Sequence, residues 1–460
     1  MPASPETRTG RRPSALRVVR QLLAAFRGHS FATDGAWVVA TQIVGKGSGT
    51  IMLLLLARFL SVRDFASFTY LFTTATLLST YVAAGLPLTI SRVVAEGRDD
   101  RSWPDDDRLG AVLLVTAAAT LGVLVLAPLY LPWLLSDEVP VSGSLIVVAG
   151  LAITWVGLAQ AGLYGSGRFR EAFLPVVAGT MLLFASAAAA VLLQNIVILI
   201  AGNIAGMLVS AAAYTRHLFR QRVLVPRHWL QWPRRRSVRE VLATTLPGLG
   251  FSVIYASTNW LLARTLVERQ ATPDQFNQYM IGLQWFSLVL FVPLAFGQVL
   301  FPKFVQKARS SALTVTQIVL PAALTFATVL ACALVGTALT PLVSWLYGGQ
   351  YQFARLFVFT ILLAAALSGA VNILGSFVMA ARGMAAWLLV NMASAVVAVL
   401  LLWSLPLDTA FEAARTLCLI QLTPLAIATV LVVRHREKHP LTHASREEVV
   451  ALPAAAPLNE

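Results

Sequence analysis

The chain has 460 residues, of which 57% are hydrophobic and only 12% charged, with a formal net charge of +14. Apolar runs of about 20 residues recur from end to end, the length that crosses roughly 30 Å of hydrocarbon, and this excludes a soluble domain. The positive charge would suit a nucleic-acid binder, but it gathers between the apolar runs rather than on one stripe, so it tracks membrane topology and no nucleic acid is implied.

In chain order, residues 1–33 make a basic segment whose stretch 16–27 alternates apolar and basic residues at helical spacing, the pattern of an interfacial helix on anionic lipid. The first apolar run is too long for a signal-peptide core and contains Lys46, so it is expected to be retained as a helix. Six spans are predicted at 36–60, 66–90, 109–132, 141–163, 172–193 and 196–214, within an N-terminal lobe of residues 34–215. Residues 216–239 hold eight arginines with Trp229 and Trp232, a basic linker on the cytoplasmic surface. A second six spans follow at 241–262, 276–301, 313–337, 353–380, 385–405 and 410–433, within a C-terminal lobe of residues 240–434. Residues 435–460, rich in Ala and Pro after Pro440, are expected to be a disordered cytoplasmic tail.

Of the 35 Lys and Arg, Lys46 lies inside the first span, and Arg58, Arg63, Arg264, Arg269, Arg355 and Arg415 lie at one set of connections and span ends. All the others lie in the N-terminal segment, the opposite connections or the tail, so the positive-inside rule puts both termini and the linker in the cytoplasm. Trp37, Trp103, Trp133, Trp229, Trp232 and Trp345 fall near span ends, where amphipathic indoles sit at headgroup depth. Cys332 and Cys418 lie in apolar runs and read as small membrane-core residues. No metal-ligand spacing, catalytic set or cofactor motif is legible.

The chain also repeats itself. Leu55, Leu56, Ala57 and Arg58, ending the first span, recur as Leu261, Leu262, Ala263 and Arg264, ending the seventh. At the same offset Leu86, Pro87 and Leu88 answer to Val292, Pro293 and Leu294, and later Gly167 and Arg168 correspond to Ala381 and Arg382. Each half has six spans, an even number, so the halves would be parallel repeats with a site between them.

On these residues the sequence resembles the polysaccharide flippases of the multidrug, oligosaccharidyl-lipid and polysaccharide exporter superfamily, over about residues 34–436. The first hairpin carries the resemblance: an Ala57-Arg58 end, a turn with Asp64 and Phe65, then Gly85, Leu86 and Arg92. Leu246 and Pro247, Pro293 and Pro302, and the turns at 165–168 and 380–382 add to it, while Ala66 stands where the family has a turn glycine. The resemblance implies an all-α integral membrane protein of about 12 transmembrane helices in two six-helix lobes around a central cavity. It further implies a bacterial inner-membrane location, undecaprenyl diphosphate carrying an oligosaccharide as cargo, and the polysaccharide polymerase machinery as a partner. Neither enzyme activity nor a cofactor is implied.

Among candidate substrate-binding residues, Lys46 is ten residues into its span, about 15 Å deep. A lysine there costs about 2.5–3.5 kcal/mol against lipid, so it is expected to face protein or water. Gln42, Lys46 and Thr50 form a stripe four residues apart, with Gly45, Gly47 and Gly49 leaving room beside it. Lys46 reads either as a cation attracting diphosphate or as a structural partner of Asp34 or a carbonyl. Residues 45–48 are not a phosphate loop, since Ala40 and Gly47 stand where Gly and Ser or Thr are required. Arg92 could meet the diphosphate or simply anchor its span; Arg58 and Arg264 read as an exit-side ring or, preferably, as snorkelling side chains. Asn259, Asn372, Asn391, Gln284 and Gln298 are amides that line a sugar path or join helices.

Two other functions share part of this pattern. A membrane glycan polymerase or ligase is disfavoured because all six histidines (His29, His217, His228, His435, His439 and His443) fall on the cytoplasmic side. An ion-coupled multidrug exporter is disfavoured because no Asp or Glu lies mid-span. A lipid II translocase would carry two further spans after the twelfth.

Overall fold

The computed structural model describes residues 37, 40–41, 43–83, 85–97, 103, 106–135, 142–226, 228, 232–269, 273–309 and 315–438. The expected interfacial helix at 16–27, the rest of segment 1–33, Asp34 and the tail beyond 438 lie outside the described residues. Among the described residues there is helix and turn but no strand. In hydrocarbon an unpaired backbone amide has no water to bond, so a spanning segment closes its hydrogen bonds within its own helix.

A π-helical turn, Ile43–Gly47, leads into α1 (Ser48–Phe59), followed by α2 (Val62–Ala83), α3 (Leu86–Glu96), α4 (Asp107–Leu134), α5 (Gly143–Gly165), α6 (Phe169–Leu193) and α7 (Ile196–Arg220). The second half consists of α8 (Arg235–Glu268), α9 (Pro273–Arg309), α10 (Val315–Ala338), the short α11 (Thr340–Leu346), α12 (Arg355–Arg382), α13 (Met384–Ser404) and α14 (Ala410–Lys438). Nine of these, among the described residues, are long and apolar enough to cross a membrane, or ten if α2 and α3 are one span bent by 48°. The π turn with α1 and the long α9 occupy the other two expected places, so the helix order is compatible with twelve spans. Local chemistry sets several ends: Asp106 and Asn195 cap α4 and α7 by accepting the amides of Arg108 and Val197.

Each half is organised around its fourth span. In its most apolar stretch α12 is 78% buried and α5 is 56% buried, whereas α13 and α6 are 28% and 17% buried and leave most of their surface for lipid. Small residues let neighbours approach these central helices. A Cβ at Gly150 of α5 would stand 3.0 Å from the Ala75 carbonyl oxygen of α2, and one at Gly369 of α12 would stand 3.1 Å from Pro293 of α9.

The halves meet along α8. Near the connection between α8 and α9, Trp260 Nε1 donates to Thr74 Oγ1 at 3.1 Å; deeper, Tyr81 and Ser257 share a 2.9 Å hydrogen bond. At the break between α2 and α3, Gly85 has φ +83°, and a Cβ there would lie 2.6 Å from the Thr245 carbonyl oxygen and 3.1 Å from Leu249 N. Thr89 and Thr245 hydroxyls stand 2.9 Å apart just beyond, and Arg108 reaches Glu240 at 3.5 Å and Arg234 reaches Asp107 at 3.3 Å at the far end. Only glycine meets both demands at position 85, a left-handed backbone and contact with another main chain.

Gly85→Ala is therefore expected to cost about 2 kcal/mol or more, from the left-handed conformation and from overpacking together. Gly47→Ala, with nothing within 4 Å of the added methyl, is expected to be far milder. Retention of the monodisperse protein peak after stepwise heating in detergent would compare them; equal midpoints would remove Gly85 from the seam's support.

Candidate functional site

At one end of the molecule, beside the connections α1–α2 and α8–α9, the two halves are closed over one another. Asn277 of α9 donates to the Val62 carbonyl oxygen at 2.8 Å and to Tyr351 Oη at 3.2 Å, and Gln350 donates to the Arg58 carbonyl oxygen at 3.3 Å. Phe65 packs on Tyr351 and Tyr70 on Phe276, with ring centroids 6.2 and 6.1 Å apart. The Arg264 guanidinium lies 4.7 Å from the Trp133 ring of α4 and 5.2 Å from the Trp260 ring, and it pairs with Glu268 at 2.6 Å.

Arg264 thus departs from the snorkelling expected of it. Its side chain is only 13% exposed, and Nη1 finds no hydrogen-bond partner among the described residues. Trp260 is one turn away on the same helix and Trp133 arrives from the other half, so two indole faces supply what water would. Arg58, its counterpart in the repeat, is exposed, with Phe59 beneath it at 5.9 Å.

Further along the same helices come stripes of polar side chains. Val62, Thr69, Thr73, Thr76 and Thr80 share one face of α2 at helical spacing; Val62 meets α9, whereas Thr76 is exposed and Thr73 and Thr80 are half-buried. On α8 the corresponding face carries Leu266 and Leu262, both fully buried, then Asn259, Tyr255 and Ser252. Tyr255 is 44% exposed halfway along a membrane-length helix. Ser287 of α9 is exposed as well, and Gln284 donates to Thr50 Oγ1 of α1 at 3.3 Å, joining the halves on another side. These stripes carry hydroxyls and amides, groups that can hydrogen-bond hydroxyl-rich ligands. Among the described residues no group of three or more His, Cys, Asp or Glu could hold a metal ion.

The five sequence candidates are distributed as follows. Thr50 accepts from Gln284 in the contact just described, and Asn259 donates to the Tyr255 carbonyl oxygen of its own helix at 2.9 Å. Arg92 is exposed at the end of α3 and pairs with Glu96 at 2.8 Å, which in turn takes Arg108 at 2.6 Å. Gln42 and the side chain of Lys46 lie outside the described residues. The backbone of Lys46 lies in the π turn Ile43–Gly47, whose i to i+5 pairing differs from the regular α-helical register of α1. Neighbouring helices meet part of that turn and the start of α1. Gly45 faces Val176 of α6, Ser48 Oγ lies 3.4 Å from Thr180 Oγ1, and Gly49 faces Gln284.

Sequence reasoning missed Tyr255, Tyr81, the threonine face of α2 and the Arg264 cage. The threonine spacing was a readable signal, and so was Trp260 four residues before Arg264.

A bundle of membrane-length helices in two halves that pack together at one end defines a multi-pass membrane architecture. Solved structures with this fold include an inward-facing multidrug resistance MATE family transporter of the MOP superfamily, at 14% identity, with TM-score 0.64, covering 91% of this chain and 99% of that one. A Vibrio cholerae MATE transporter, VcmN, gives 14% identity and TM-score 0.62 over 90% and 99% of the two chains. An outward-facing MATE family transporter gives 12% and 0.60 over 88% and 97%. The chain belongs to the polysaccharide biosynthesis protein family, whose profile matches residues 31–306. It is also 23% identical, over 74% of its length and 79% of the relative's, to the EPS I polysaccharide export inner membrane protein EpsE of Ralstonia nicotianae.

Each cation–π contact of Arg264 is worth about 1–2 kcal/mol when desolvated, so Arg264→Gln should loosen the closed end. With Asn259→Cys as the only thiol, after Cys332→Ser and Cys418→Ser, a membrane-impermeant maleimide applied from the α8–α9 side should react about tenfold faster in the Arg264→Gln background. An unchanged rate would mean that the cage does not hold this end shut.

Proposed function

We propose that the protein flips undecaprenyl-diphosphate-linked oligosaccharide repeat units from the cytoplasmic to the periplasmic leaflet by alternating access, supplying O-antigen, capsule or exopolysaccharide synthesis. The observation that carries this reading is the set of polar groups Thr76, Thr80, Asn259 and Tyr255 along α2 and α8, neutral hydrogen-bonding groups in a polysaccharide-family chain with the fold of solved MATE transporters. A glycan crossing hydrocarbon must exchange its water bonds for such groups. An ion-coupled drug exporter is disfavoured on chemistry, because its coupling site calls for a mid-span carboxylate where this sequence has amides and hydroxyls. A polymerase or ligase would need an acid, base or nucleophile set that these faces do not present.

In this reading both termini and the 216–239 linker are cytoplasmic, and lobes 34–215 and 240–434 rock about the cargo. Lys46 attracts the diphosphate, Arg92 meets it on the cytoplasmic side, and Gln42, Thr50 and Asn259 contact sugar. A fixed cation offsets part of the hydration that the diphosphate loses in a low-dielectric cleft.

The test is export in cells lacking the chromosomal copy, with lipid-linked repeat units measured by leaflet. Wild type should restore surface polysaccharide. Lys46→Ala should leave repeat units on the cytoplasmic leaflet at normal protein abundance, and Lys46→Arg should retain part of the activity, since guanidinium keeps the charge with different geometry. Normal export by Lys46→Ala would reduce Lys46 to a structural role; normal surface polysaccharide without the protein would reject the function.

A further inference from the structure

On the flank of the molecule, where α4 and the first turns of α8 run side by side, a groove of about 610 Å³ opens toward the membrane. Its floor is apolar: Leu114 of α4 on one wall, Val238, Leu242 and Leu246 of α8 on the other. Leu246 is 53% exposed, so this floor is left for acyl chains to cover. Arg235 and Arg239 form the rim one turn apart, with Trp232 beside them 80% exposed. From Arg235 to Leu246 the helix rises about 16 Å, roughly the depth of one leaflet's hydrocarbon.

Charge decides what fits. One carboxylate on each of these two helices is already engaged: Glu240 of α8 with Arg108 at 3.5 Å and Asp107 of α4 with Arg234 at 3.3 Å. Arg235 and Arg239 are exposed and have no ion pair among the described residues. Two cations over an apolar channel of leaflet depth, flanked by an indole at headgroup level, match a phosphodiester headgroup joined to an acyl chain.

We propose that this groove is a binding site for an anionic glycerophospholipid of the surrounding bilayer, in the leaflet on the side of the α7–α8 linker. The phosphate sits between Arg235 and Arg239, and one chain lies along Leu114, Leu242 and Leu246. The walls come from opposite halves of the molecule, so the bound lipid holds α4 and α8 together, and any motion that separates them is linked to its release.

The test uses full-length protein in phosphatidylcholine vesicles containing a trace of phosphatidylglycerol with a diazirine in its acyl chain; photoadducts are mapped by peptide mass. Adducts should fall on the segment 232–246 and around Leu114, and unlabelled phosphatidylglycerol should compete where extra phosphatidylcholine does not. Each arginine near the surface is worth about a fivefold change, so Arg235→Gln/Arg239→Gln should weaken apparent binding on the order of 30-fold. Leu246→Trp, which fills the groove without altering charge, should also abolish the adducts, while Arg434→Gln, on another helix, should not. Adducts at the same positions and yield in both groove variants would overturn the proposal. So would equal competition by phosphatidylcholine, or displacement by unlabelled undecaprenyl phosphate far below the phosphatidylglycerol level, which would make the groove a cargo site instead.

Discussion

A polypeptide in hydrocarbon has no water to satisfy its amides, and this constraint shapes every part of the molecule. It makes each apolar run a helix and leaves helix faces as the only surfaces on which halves can meet. It also makes departures from regular helix costly unless neighbouring protein supports them. Two departures stand out. The π turn at Ile43–Gly47 is backed by Val176 and Thr180 of α6, and the α2–α3 break at Gly85 is backed by the main chain of α8 at Thr245 and Leu249. The first is held by a helix of its own half, the second by a helix of the other half.

The stripe on α8 changes character partway along the helix. From the closed end inward it reads Leu266, Leu262, Asn259, Tyr255, Ser252, apolar where it is buried and polar where Tyr255 is exposed. On α2 the corresponding stripe is threonine almost throughout, and hydroxyls suit both roles. Thr69 bonds the Phe65 carbonyl oxygen within its own helix where it is buried, while exposed Thr76 bonds the Phe72 carbonyl oxygen and still has lone pairs to offer. A face of this kind can seal or solvate a passage without leaving a charge stranded in either state.

Much of this was legible in the sequence. Run lengths placed the spans, and the offset between Leu55 and Leu261 marked the two halves; the central roles of α5 and α12, equivalent in that repeat, agree with it. Partners from distant segments were not legible. Arg264 looks like an ordinary end-of-span arginine until Trp133 is brought against it, and the π turn around Lys46 depends on how α6 and α9 pack beside a glycine-rich stretch that could equally continue as α-helix.

The repeat, finally, is symmetric in sequence and unequal in mechanics. Leu86-Pro87-Leu88 and Val292-Pro293-Leu294 occupy matching places, yet α2 and α3 part there by 48° whereas α9 runs unbroken from Pro273 to Arg309. The difference lies in what precedes the proline. Gly85 adopts a left-handed conformation that ends one helix and starts another, while Phe291 and Val292 hold the helical path up to Pro293, which is packed against Gly369 of the buried α12. One half therefore carries a bend in its second span and the other an unbroken helix, and the bend is the point where the main chain of α8 from the opposite half comes against Gly85, so the shape of this half and its packing on the other are set at the same residue.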